Sequence, residues 1–161
     1  MQLRGADGIS ELRVTIAGYE FHNTLNDVSA ANWLEIDISV RTPHGSGFSR
    51  VACMRTWDAV SFADWLDALG ARRPVDYLDI AFREPNLQIR VVRQTAREIT
   101  FHVWFILERP GLWQMDDSHN ADSSTYAGEL NLTVPYAAVL TASESLRVEL
   151  QNFPIREAES L

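Results

Sequence analysis

The sequence predicts an α+β single domain: a mostly antiparallel, curved β-sheet of about seven strands with two α-helices packed on it. Three observations carry this prediction. Apolar and polar residues alternate with period two in short segments along most of the chain. Two other segments place their apolar residues at helical spacing. Short turns join most of the alternating segments, which implies antiparallel neighbours. The 161 residues, 46% hydrophobic and 22% charged, suit one folded domain over 1–161 with a core of its own. Residues 1–10 and 156–161 are read as peripheral.

Leu12, Val14 and Ile16 alternate with Glu11, Arg13 and Thr15 as a half-buried strand ending near Gly18. The polar stretch from Glu20 to Ala31 reads as loop. Leu34, Ile36, Ile38 and Val40 then line one face of a second strand, with Glu35, Asp37, Ser39 and Arg41 on the other. The run Thr42-Pro43-His44-Gly45-Ser46-Gly47 signals a turn, and Phe48 to Arg55 returns as the hairpin partner. Thr56 is placed as the N-cap of the first helix, with Asp58 in its first turn, where the helix dipole favours an acid. Phe62, Trp65, Leu66 and Leu69 share one helix face, and Gly70 ends it.

Leu78, Ile80 and Phe82 form the next strand, broken at Glu84-Pro85-Asn86 because proline cannot donate to the ladder. The Asn86 amide and Glu84 carboxylate suit the backbone groups freed at that break. Leu87, Ile89 and Val91 resume. Ile99, Phe101, Val103, Phe105 and Leu107 give one face of the longest strand, and Trp104 and Ile106 on the other face predict a central strand partly covered on both sides. Gln114 to Ala127 is the most polar segment and reads as a long exposed loop. Leu130, Leu132 and Val134 make the last strand. Pro135 opens a helix carrying Val139, Ala142, Leu146 and Leu150.

Charge excludes one function class. The formal net charge is −8, from 22 acids against 14 bases, every base an arginine. Generic nucleic-acid binding needs local cations and is not expected. The acidity suits either solubility or a basic partner. Cys53 is the single cysteine, within a strand-like run, and reads as a buried inert thiol. There is no apolar h-region near the start and no membrane-length apolar run, so a soluble, cytoplasmic protein is expected.

The search for chemistry yields little. None of His22, His44, His102 and His119 stands at metal spacing to another histidine or a cysteine. The Asp-Asp-Ser-His-Asn-Ala-Asp run offers oxygen ligands but lacks the EF-hand spacing and closing glutamate. His102 reads as a hydrogen-bonded structural histidine. Gly45-Ser46-Gly47 is a flexible turn, not a nucleophile elbow. No phosphate-binding glycine loop is present. A hydrolase would need Glu84, His102 and a second acid in one pocket. No catalytic residue, resident metal or cofactor is therefore expected, and the chain reads as non-enzymatic.

Four pieces of the chain, in order, resemble the WapI family of bacterial immunity proteins. They are Asn32-Trp33-Leu34-Glu35-Ile36; Thr56-Trp57-Asp58 with Asp64-Trp65-Leu66; Glu84-Pro85-Asn86-Leu87; and Glu108-Arg109-Pro110-Gly111-Leu112-Trp113 with a final Phe153-Pro154-Ile155-Arg156. The chain departs from the family pattern at Gln88-Ile89 and in lacking lysine. The resemblance implies a cytoplasmic antitoxin that blocks the C-terminal toxin domain of a secreted WapA/Rhs-like protein, a nuclease in the name-giving system. The matching residues read as framework, so physics rather than the motifs suggests the contact surface. A basic, phosphate-binding toxin cleft favours clustered acids ringed by aromatic anchors. Those are Asp116, Asp117 and Asp122 in the long loop, Trp113 and Tyr126 flanking it, and Glu35 and Asp37 on a polar strand face. The alternative is a small-molecule or metal-binding α+β domain without catalysis, using the Asp-rich loop.

Overall fold

The computed structural model describes residues 1–21, 27–108 and 125–156. Eight strands and three helices follow in the order β1 (Gln2–Arg4), β2 (Glu11–Tyr19), α1 (Val28–Ala31), β3 (Trp33–Thr42), β4 (Gly45–Arg55), α2 (Thr56–Gly70), β5 (Asp79–Ala81), β6 (Leu87–Gln94), β7 (Glu98–Glu108), β8 (Thr125–Pro135) and α3 (Tyr136–Leu150). The class is α+β, as the alternation and helical spacing imply. The strands form two antiparallel sheets of four, β1-β2-β3-β4 and β5-β6-β7-β8, rather than one sheet of about seven. The reason is topological. Helix α2 carries the chain away from the free side of β4, so β5 starts a new meander. Alternation reports which face a residue takes but not which strand lies beside it.

One core serves both sheets and the two long helices. Leu12, Val14, Leu34, Ile36 and Ile38 supply it from the first sheet, and Phe101, Val103, Phe105, Leu107 and Leu132 from the second. At one side the sheets are joined by the Ala6 N–H, which donates to the Thr133 carbonyl at 2.8 Å. Residues 1–10 are thus not peripheral: they supply β1, and Met1 and Leu3 are buried. The segment is too short for alternation to show, since three strand residues give one inward position.

Several boundaries differ from the sequence expectation for local reasons. A one-turn helix, α1, lies inside the expected loop because Asp27 accepts from the N–H groups of Ser29 and Ala30 at 2.9 and 3.1 Å. The β3–β4 turn is tighter than the glycines suggest, with Gly45 already paired to Thr42. Leu78 is exposed and only Asp79–Ala81 pair in β5. Pro135 precedes α3 as an extended residue instead of opening it. The N-cap of α2 is Arg55, not Thr56: the Asp58 carboxylate accepts the Arg55 N–H at 2.9 Å, while Thr56 N–H donates to the Asn32 carbonyl.

Helices α2 and α3 pack on each other, and Gly70 sets their approach. A Cβ there would lie 2.8 Å from both the backbone nitrogen and the Cγ of Leu140. Gly70 is therefore a close-contact residue inside α2. The left-handed residue beyond the helix is Arg72, at φ 57°. Gly70→Ala is expected to destabilise the fold by about 1–3 kcal/mol, although alanine is the better helix former by about 1 kcal/mol. Chemical denaturation checks the sign, and a stability gain would show that the helices part freely. The helices also meet through buried Ser143, whose hydroxyl donates to the Ala63 carbonyl at 2.8 Å.

Candidate functional site

Among the sequence-predicted contact residues, Glu35 and Asp37 lie on the outer face of the first sheet, both half-buried, two positions apart on β3. Trp113, Asp116, Asp117 and Asp122 lie outside the described residues, as does His119. Tyr126 is placed by its backbone alone, opposite Leu107 in the β7–β8 ladder.

The two β3 acids differ in their surroundings. Asp37 faces Arg50 across the ladder and takes a two-pronged pair from it, at 2.7 and 2.9 Å. Further along the face, Glu11 is buried beside Arg4 and Arg13. Burial pushes its carboxyl up, but hydrogen bonds from Arg4 and Gln2 and the two arginine charges outweigh that and hold it below the usual range. Glu35 has no ion pair among the described residues. Its ladder neighbours are Gly18 on one side and Ala52 on the other. A Cβ added at Gly18 would meet only the Glu35 carboxylate, at 3.9 Å. Small residues flank this carboxylate on both sides, and the Arg50 guanidinium, paired with Asp37, also feels its charge.

Next to it on the sheet, a concavity of about 410 Å³ lies beside Trp33, with Glu20, Phe21, Ala52, Glu84 and Asn86 among its walls. Trp33 is half-buried, and Phe21 is 41% exposed. Glu20 is held above its ordinary value by burial first, then by the charges of Glu35 and Glu84. The concavity thus joins Glu20 and Glu84 from separate segments, and Glu35 lies near enough for its charge to act on Glu20. Sequence reasoning singled out Glu35 for its strand face and Glu84 for its place before Pro85, and missed Glu20. Only the fold shows that the β2 end, β3 and the break before β6 converge here.

The walls are held by backbone bonds and by the C-terminal segment. The Glu20 N–H donates to the Trp33 carbonyl at 2.9 Å. Arg156 lays its guanidinium 3.4 Å from the centre of the Tyr19 ring and donates to the Phe21 carbonyl at 2.9 Å. Asn32, fully buried, clamps the same residue: its Oδ1 accepts the Arg156 N–H, and its Nδ2 donates to the Arg156 and Val28 carbonyls. Tyr19 also donates its hydroxyl to the Pro154 carbonyl.

The outer face of the second sheet carries a smaller concavity, about 270 Å³, lined by Gln88, Arg90, His102 and Trp104. His102 faces Asn131, with Nδ1 at 3.1 Å from Oδ1, and its Nε2 lies 3.5 Å from Glu129. It is a hydrogen-bonded strand histidine. Glu84 and His102 line different concavities, so the pairing a hydrolase would need is not formed. Cys53 is fully buried. Among the described residues no cluster of His, Cys, Asp or Glu could hold a metal ion. No described helix is long and apolar enough to cross a membrane.

Among the described residues the frame is α+β, with paired charges on the outer face of the first sheet and an aromatic and acidic concavity beside them. Comparison with known families gives the particular kind. The model of the immunity protein WapI-like family matches residues 2–154, and the chain belongs to that family. Membership implies a toxin-immunity role with a cognate toxin as partner. No curated protein and no solved structure matches the chain.

Proposed function

We propose that the chain is a non-catalytic, cytoplasmic immunity protein that binds and blocks the C-terminal toxin domain of a secreted WapA/Rhs-like polymorphic toxin, and that this domain is a nuclease. The family match over nearly the whole chain carries the reading. The formal net charge of −8 supports it, since a phosphate-binding enzyme presents a basic cleft that an acidic inhibitor approaches quickly and matches in charge. Co-expression with the C-terminal domain of the toxin encoded beside this chain's gene tests it: growth should be restored, and a catalytically dead toxin domain should co-purify.

The contact surface proposed for this partner includes Asp116, Asp117 and Asp122, with Trp113 and Tyr126 as aromatic anchors and Glu35 and Asp37 on the sheet face. Paired Asp37 contributes less net field than Glu35, because Arg50 offsets its charge. Reversing Asp116 and Asp117 to arginine is expected to weaken toxin binding about tenfold and to flatten its salt dependence. A titration at two ionic strengths reads both effects, and unchanged affinity with an unchanged salt slope would remove these residues from the surface.

A further inference from the structure

We infer that the free edge of β4 pairs with the same edge of a second copy of this chain, antiparallel about a two-fold axis beside Phe48, so that the first sheets of two molecules join into one. Such a pairing is independent of any contact with a toxin.

An open sheet edge templates another strand unless it is short, covered, or blunted by charge or proline. Three of the four edges here are managed in this way. Strands β1 and β5 are three residues each, and β8 receives the Ala6 N–H at its Thr133 carbonyl. The β4 edge is different. The strand is 11 residues long, ends its sheet, and holds no proline or lysine. Arg50, the charge in its middle, is drawn back across its own sheet by Asp37, at 2.7 and 2.9 Å.

The hairpin register fixes which groups face outward. Thr42 and Gly45 close a two-residue turn as a hydrogen-bonded pair, and bonded and non-bonded pairs then alternate along the ladder. Ser46, Phe48 and Arg50 fall at the non-bonded positions, opposite Arg41, Ser39 and Asp37. Their N–H and C=O groups therefore point away from β3, and no other backbone group among the described residues bonds to them. All three residues are exposed, Phe48 at 43%.

This row of residues is complementary to itself. With Phe48 on the axis, its outward groups meet those of Phe48 of the second copy, and Ser46 meets Arg50 in both directions. Each such pair exchanges both of its backbone bonds. The two Phe48 rings come together as a cross-strand aromatic pair, and a concavity of about 240 Å³ bordered by Ser39, Arg41, Ser46 and Phe48 leaves room beside them. No like charges stand directly opposite, since each Arg50 meets a serine. Antiparallel pairing also lays the hairpin end of one copy, with Arg41 and His44, along the end of the other that carries Glu35 and Glu84.

The full chain is tested by sedimentation equilibrium and by amide hydrogen exchange over about a hundredfold range of concentration. A monomer–dimer equilibrium is expected, and it should shift toward dimer as salt screens the net charge of −8 on each copy. The amides of Ser46, Phe48 and Arg50 should be protected in the dimer and exchange freely in the monomer. Those of Gly47 and Ser49, bonded to β3, should be protected in both. Phe48→Lys sets like charges opposite each other on the axis, and Phe48→Pro removes the outward N–H without touching the β3 ladder; thermal melts confirm that both are folded. Each should dimerise about tenfold more weakly or worse. A parent chain that stays monomeric at the highest concentration would overturn the pairing, as would variants that dimerise as well as it does. Free exchange at Ser46, Phe48 and Arg50 in a dimer would place the contact elsewhere and overturn it too. A monomeric parent whose three amides become protected only when the toxin domain is added would assign the edge to a toxin strand instead.

Discussion

Phe62→Ala is expected to destabilise the protein by about 3–5 kcal/mol, a large part of the stability of a domain this size. Phe62 is fully buried on the inner stripe of α2. Its ring meets Phe82 edge-to-face at 5.3 Å and Trp65 at 6.3 Å, and Trp65 in turn lies 6.0 Å from Phe101. This row of rings runs from the break before β6, through α2, to the centre of β7. The Trp65 indole N–H also donates to the Tyr77 carbonyl at 3.1 Å, fixing the connection between α2 and β5. Truncation at Phe62 removes the ring that touches two links of the row and leaves a cavity the β7 ladder is too rigid to fill. Denaturant unfolding measures the loss. A cost below 1 kcal/mol would mean that α2 and the second sheet are held elsewhere. Phe62→Leu should recover more than half of it, because much of the volume is kept.

The helix stripe of Phe62, Trp65, Leu66 and Leu69 is legible in sequence because amphipathic spacing and burial have one cause, and all four are buried. The same holds for Leu34, Ile36, Ile38 and Val40 on β3 and for the alternating β7 face. The division into two sheets is not legible, because it depends on where α2 sends the chain. Buried Glu11 is another miss: alternation puts it with the polar face, but Arg4 and Arg13 cover it. The acidic concavity is the clearest case. Glu20, Glu35 and Glu84 are scattered along the chain, and each alone is an unremarkable surface acid. The charges of Glu35 and Glu84 act on Glu20, and a β2 bulge between Ile16 and Gly18 sets Gly18 opposite Glu35.

The pieces that carry the family resemblance act mainly as ties between distant segments. The Asn86 carbonyl accepts the Ile106 N–H at 2.9 Å and its side-chain amide donates to the Ile106 carbonyl at 3.4 Å, which fastens the break before β6 to the last residues of β7. Asp64 pairs with Arg147 across the α2–α3 contact. Such ties hold the frame without calling on a partner. In Asn32 and Asn86 the framework role is thus separate from any contact with a partner.

Asn32→Leu puts that separation to a direct test. The substitution keeps the branched shape, with bulkier methyl groups in place of the amide, and removes every hydrogen bond the amide makes. It leaves the Val28 carbonyl and both backbone groups of Arg156 without their buried partner. Each unsatisfied buried group costs about 1–3 kcal/mol, and part is recovered as the chain end lifts into water, so a net loss of about 2–3 kcal/mol is expected. The lifting has its own signature. With the clamp gone, the Arg156 guanidinium leaves the Tyr19 ring and releases the Phe21 carbonyl, so the peptide bond after Arg156 should become sensitive to trypsin. Arg156→Ala separates the two contributions, because it removes the stacking but keeps the backbone clamp, and should cost less than half as much. An intact Arg156 segment in the Asn32→Leu variant would show that the clamp is incidental and that the Glu20–Phe21 wall is ordered by β2 alone.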